Sequence, residues 1–184
     1  MYSELDVAAE ATKWIGYLEH KDGGSLGLYS VNVGKGGYTA FAEIVRQKCG
    51  RNLQGLPWCA IFVYACFVNV YGCERVKKLF GRPHAGTRVL VRRMRRRGLW
   101  RDADYTPAVG DVIFLANDGK RLDHCGIVVY VDHETVSSVD GNTVDPSGIF
   151  TELEGGAVAL RERQLTDKRI IGYGMTGGVI NGDN

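Results

Sequence analysis

A chain of 184 residues, 45% hydrophobic and 24% charged, is large enough for one domain with one core and ordinary in composition for a globular protein. No stretch reaches the roughly 18–20 uninterrupted apolar residues of a membrane helix, and Met1-Tyr2-Ser3-Glu4 starts neither a basic nor an apolar leader, so no secretory signal is expected. The net charge of +2 hides an asymmetry: residues 75–101 hold eleven Lys/Arg and no acid, which leaves −9 on the rest.

Residues 3–18 read as a helix capped by Ser3, with Leu5, Ala8, Ala11, Trp14, Ile15 and Leu18 along one face at spacings of three and four. A loop from Glu19 to Gly37 with six glycines follows, long enough to be a binding loop or a mobile surface. The helical period resumes from Tyr38 to Cys49, with Thr39 as the cap and Phe41, Ile44 and Val45 inward. Gly50 to Leu56 leads to Pro57, which suits the first turn of a helix because its missing N–H costs little there. The run from Ala60 to Val68 is apolar on every side, as a central buried helix must be. Arg88 to Arg97 is a shorter amphipathic helix with Val89, Leu90 and Met94 inward.

Beyond Pro107 the period becomes that of short strands, at 112–115, 125–131, 135–139, 157–161 and 169–173. Turn residues stand between them at Asn117-Asp118-Gly119-Lys120 and Asp140-Gly141-Asn142. Helices first and strands afterwards predict an α+β fold, N-terminal helices packed on an antiparallel β-sheet. Residues 177–184 read as a flexible tail or linker stub behind a domain of residues 1–176.

Five cysteines, at 49, 59, 66, 73 and 125, leave at least one unpaired within the chain. Cys59, Cys66 and Cys73 recur every seven residues. On one helix such neighbours stand about 10 Å apart, beyond the ~7 Å that a disulfide spans and too far to converge on zinc. The thiols are therefore expected to be reduced, with no metal and no cofactor.

Cys59 opens the buried helix, and His124, 65 residues on, opens a strand. Cysteine with histidine is one of few pairs that cleave an amide without metal or cofactor. Unpaired N–H groups and the dipole at a helix start favour a thiolate, and His124 can act as base toward the thiol and acid toward the leaving amine. Asp140 and Asn142, two residues apart, share one side if the backbone stays extended, and either could hold the ring nitrogen turned away from Cys59. Cys49, Cys66 and Cys73 read as small apolar residues, and His20, His84 and His133 as structural hydrogen-bonders. Cys125 alternates to the face opposite His124, a core position.

Trp58-Cys59-Ala60-Ile61-Phe62-Val63, Val109-Gly110-Asp111-Val112-Ile113-Phe114, His124-Cys125-Gly126-Ile127-Val128 and Val139-Asp140-Gly141-Asn142, in that order, resemble the cysteine- and histidine-dependent amidohydrolase/peptidase (CHAP) family. Ile170-Ile171-Gly172-Tyr173-Gly174 looks like that family's last strand. Trp14-Ile15-Gly16-Tyr17 and Gly37-Tyr38-Thr39-Ala40-Phe41 resemble the start of phage-encoded or gut-bacterial members. The likeness covers about residues 5–174. It implies a papain-like α+β fold and hydrolysis of peptidoglycan, either between N-acetylmuramic acid and L-alanine or within the stem peptide or cross-bridge. By position it makes Cys59 the nucleophile, His124 the base and Asn142 the family's asparagine. Asp140 stands where many members carry glutamate, so Asp140 and Asn142 both remain candidates for orienting His124. Trp58 stands where some members carry glutamine. Gln54 is then a candidate oxyanion donor beside the backbone N–H of Cys59, and Trp58, Gln54 and Tyr38 are expected to meet the substrate. Some members bind calcium through closely spaced aspartates before the nucleophile. None lies between Asp22 and Asp102 here, so no such site is expected.

A phage endolysin-like enzyme of this kind is made in the cytoplasm and reaches the bacterial cell wall after release. A secreted antibacterial effector or a tail-associated wall hydrolase uses the same chemistry. Arg92, Arg93, Arg95, Arg96 and Arg97 invite anionic wall or envelope polymers as further partners. A nucleic-acid-binding module is disfavoured, because only Phe80 and Trp100 offer stacking within 75–101 and Cys59, His124 and Asp140 are left without a use.

Overall fold

Over residues 4–116, 122–144 and 155–177, which the computed structural model describes, five helices precede six strands. They are α1 (Glu4–Thr12), α2 (Ala40–Cys49), α3 (Cys59–Tyr71), α4 (Cys73–Phe80), α5 (Thr87–Arg96), β1 (Trp100–Asp102), β2 (Val112–Leu115), β3 (His124–Val131), β4 (Thr135–Thr143), β5 (Ala157–Gln164) and β6 (Ile170–Gly174). The strands form one sheet in the order β1-β6-β2-β3-β4-β5, antiparallel throughout. The expected α+β architecture is the one observed. No helix among the described residues is long and apolar enough to cross a membrane.

A helix apolar on every side has one stable location, and α3 occupies it. Cys59 through Val68 are all buried, packed by α1, α2 and α4 and by strands β3 and β4. Strand alternation divides the rest of the core. Val112, Phe114, Cys125, Ile127, Val139 and Val158 point to the helices and join their cluster. Ile113, Leu115, Val128, Val136, Ile170 and Tyr173 form a smaller cluster on the opposite face.

Several local expectations hold. Thr39 caps α2, its Oγ1 accepting from the Ala42 N–H at 3.1 Å, and Gly50 ends that helix in the left-handed conformation that suits glycine. Others need correction. The first helix stops at Thr12 rather than 18, which leaves Ile15 39% exposed, and Leu5, also expected inward, lies in the helix on its exposed side at 64%. Sheet pairing takes over from helix there: Gly16 N–H donates to Val158 O and Val158 N–H to Tyr17 O, at 2.9 and 2.8 Å. Pro57 precedes α3 instead of lying in its first turn, and Trp58 is the N-cap. Two elements go beyond the expected ones: α4, whose buried Val76, Leu79 and Phe80 keep the three-and-four spacing of a helix face, and the three-residue strand β1.

The thiol expectation fails for one pair. Gly72, at φ +78°, ends α3, so Cys73 begins a new helix and leaves the seven-residue series. That brings it to the end of α2, where it forms a disulfide with Cys49 across a Cα separation of 5.7 Å. Cys59, Cys66 and Cys125 are free. The expected turn at Asp140-Gly141-Asn142 is instead the continuation of β4, with a register shift against β5 after Asp140 and φ +57° at Asn142. Gly141 permits this, since a Cβ there would stand 2.5 Å from that of Phe62. Ser3, the turn at 117–120 and the tail beyond residue 177 lie outside the described residues.

Candidate active site

Cys59 is fixed by what surrounds the start of α3. Trp58, immediately before it, stacks on Phe41 with ring centroids 5.5 Å apart and donates its indole N–H to Glu19 Oε2 at 2.8 Å. No side chain caps the helix, which leaves its first-turn N–H groups directed at the space before Cys59. The sulfur lies 4.0 Å from Thr87 Oγ1, at the first residue of α5, and 3.9 Å from the carbonyl of Asp123. Thr87 in turn donates to that carbonyl at 3.3 Å.

His124 begins β3, and its ring Nε2 lies 3.1 Å from Asp140 Oδ2 on β4. Asp140 pairs in register with Gly126 on one side and Ala159 on the other. Neither neighbour has bulk to oppose it: a Cβ on Gly126 would sit 2.0 Å from Asp140 Oδ1. The carboxylate also accepts from Arg163 Nη2 at 2.6 Å and from Ser138 Oγ at 2.6 Å, while Arg163 Nη1 bonds Ser138 Oγ at 2.8 Å. Asp140 has no exposure at all, and the side chains of His124 and Arg163 are 10% and 9% exposed. These four residues form one buried, cross-bonded network.

Charge in the network is mutually stabilised. Burial alone would raise the Asp140 carboxyl, but the hydrogen bond and charge of His124, with Arg163 and Ser138, hold it well below the carboxylate range. Burial works against charge on His124 too, yet Asp140 and Cys59 together raise its pKa to about 10. The Cys59 thiol is held well below the usual value, first by a hydrogen bond from Cys125, then against burial by the hydrogen bond and charge of His124 and by Thr87. Each shift favours a thiolate facing an imidazolium.

Cys59, His124, Asp140 and Asn142 are thus brought to one region. Asn142 lines the same pocket as His124, while the ring nitrogen is bonded to Asp140. Cys59 and His124 do not stand at the mouth of an open cleft: they are only 3% and 8% exposed, with Thr87 and Asp123 packed over the sulfur. Trp58, expected to meet substrate, is a core residue with 1% exposure. Gln54, expected as an oxyanion donor, has both ends of its amide engaged by the Thr39 backbone, at 2.8 and 2.9 Å. Tyr38 and Gln54 both line a separate pocket with Glu43 and Arg46, which neither Cys59 nor His124 lines.

Arg163, Ser138, Thr87 and Cys125 were missed as site residues. Cys125 does point to the helix-facing core as expected, but that side is where Cys59 lies. The basic segment is partly structural. Arg93 and Arg97 donate to the carbonyls of Phe80 and Lys78, and Arg95 lies over the Trp100 ring at 4.7 Å. Arg92 and Arg96 are exposed. Among the described residues no group of three His, Cys, Asp or Glu is arranged to hold a metal ion.

No curated protein matches the chain. Residues 51–142, half of the chain, match the CHAP domain, and the matched span runs from just before Cys59 through His124 and Asp140 to Asn142. The chain belongs to the CHAP domain family, whose members are amide-cleaving hydrolases.

Proposed function

We propose that this protein is a peptidoglycan hydrolase that cuts an amide bond with Cys59 as nucleophile and thereby lyses the bacterial cell wall. The observation that carries the reading is the buried His124–Asp140 bond, with Cys59 close enough to that histidine that each favours the charged form of the other. Nε2 is taken by Asp140, so the proton exchanged with substrate rides on Nδ1. In acylation the Cys59 sulfur attacks the scissile carbonyl, and the first-turn N–H of α3 at Cys59 stabilises the oxyanion. His124 then protonates the leaving amine as the C–N bond breaks, giving a thioester. In deacylation His124 removes a proton from water, which displaces the sulfur and releases the carboxylic acid. Asp140 keeps the ring oriented and charged, and Asn142 borders the path of the substrate.

The bond cut is either the N-acetylmuramoyl–L-alanine amide or a peptide bond of the stem or cross-bridge. A phage endolysin fits this chemistry, and so does an effector toxin or tail-associated hydrolase. The decisive measurement is clearing of purified cell walls by the native chain and by Cys59→Ala, with mass spectrometry of the released muropeptides. Loss of clearing in a folded variant is expected. A free muramic lactyl group identifies an amidase, and new peptide termini identify an endopeptidase. Equal clearing by both proteins removes Cys59 from the mechanism.

A further inference from the structure

The pocket lined by His124 and Asn142 is also lined by three arginines, Arg161 and Arg163 from β5 and Arg169 from just before β6. No carboxylate lines it among the described residues. Two of the arginines have their charge answered from behind: Arg163 by Asp140 at 2.6 Å, and Arg169 by Asp167 at 2.6 Å. Arg161 has no ion pair with a described acid. It stands in register with Ser138, two residues from Arg163 and on the same face of β5, half-buried. A guanidinium partly removed from water, with no counter-charge among the described residues, is stabilised by a ligand anion. The planar fork of arginine matches a carboxylate, and neighbouring Asn142 and Thr143 add neutral polar groups at the same wall.

We propose that this pocket receives a carboxylate of the substrate close to the scissile amide, with Arg161 as its ion-pair partner. The enzyme therefore selects stem peptides with a free carboxyl over those in which that carboxyl is amidated. The inference rests on the peptidoglycan reading above and names the chemical feature of the wall that the site recognises. Amidation keeps the size of the group and removes its charge, which makes it the informative comparison.

The test uses a soluble muropeptide with a free stem carboxyl and its amidated counterpart. Hydrolysis is followed with the native chain, Arg161→Gln and Arg161→Lys, and binding is measured calorimetrically on Cys59→Ala with and without Arg161→Gln. The expected result is a KM about 10-fold lower for the free-carboxyl substrate. Arg161→Gln should erase that preference by raising only that KM, with kcat kept within about 3-fold, and Arg161→Lys should restore part of it. Equal KM values for the two substrates, or an equal loss on both in Arg161→Gln, overturn the proposal. If the native chain cleaves neither, the peptidoglycan reading falls, while binding to Cys59→Ala still decides the pocket. Tight, Arg161-dependent binding of the free acid alone upholds the carboxylate subsite, and its absence sinks it. Displacement by inorganic phosphate at lower concentration than by the carboxylate muropeptide assigns the pocket to a phosphate polymer and refutes the proposal.

Discussion

Asp140→Asn removes one charge from the network and changes little in shape, so its consequences isolate that charge. Arg163 and His124, with side chains 9% and 10% exposed, cannot recover hydration when their shared carboxylate is neutralised. Breaking one side of a buried pair costs about 3–5 kcal/mol, against a typical total stability of about 5–15 kcal/mol. At roughly 2–4 °C per kcal/mol for a domain of this size, Tm at neutral pH should fall by about 6–20 °C. The pH dependence has a definite sign. Asp140 is held below its unfolded value, so its contribution is complete above the unfolded pKa near ~3.9 and is lost as pH falls through the folded one. The Tm gap between native and variant should therefore be full at about pH 7 and narrow toward about pH 2.5. Alkylation of Cys59 by iodoacetamide gives a second readout. With the imidazolium less supported, the pH at which Cys59 becomes reactive should rise by about one unit or more. A variant with native Tm at neutral pH and an unchanged alkylation profile would refute the network as described.

Gly126→Ala places a methyl 2.0 Å from Asp140 Oδ1. It should lower wall clearing by about 100-fold or more while the protein still folds, and normal clearing would show that Asp140 tolerates displacement. Cys125→Ala removes the hydrogen bond that does most to lower the Cys59 thiol. The onset of alkylation should move to higher pH with a stability loss of only about 1 kcal/mol, and an unshifted profile counts against a role for Cys125. Cys49→Ser with Cys73→Ser opens a link across 24 residues. By loop entropy that should cost about 3 kcal/mol in denaturant unfolding, with the Cys59 alkylation rate unchanged. A changed rate would mean that the α2–α4 link reaches the site.

Much of the scaffold was legible because burial leaves a period. The all-apolar run after Cys59, the Thr39 cap and the short β-rich segments after Pro107 each announce themselves over four to ten adjacent residues. The first helix was over-extended for the same reason: Trp14, Ile15 and Leu18 fit a helical face, and nothing local reveals that Gly16 and Tyr17 are claimed by Val158 on a strand 142 residues after Gly16. The cysteine series misled because spacing presumed one continuous helix across Gly72. Asp140-Gly141-Asn142 has turn composition, yet Gly141 serves there to let β4 lie against Phe62.

By itself the sequence determined the layer order and the central helix, and it singled out Cys59 and His124, which the fold brings into one region. The tertiary structure alone decided that Asp140 and not Asn142 is bonded to the imidazole, that Arg163 and Ser138 hold that carboxylate, and that Trp58 and Gln54 are consumed by packing and backbone bonds. The physical reason is range. Hydrophobic periodicity reports which side of a segment is buried, whereas a hydrogen bond between strands depends on register and on bare neighbours such as Gly126 and Ala159, which no local pattern encodes.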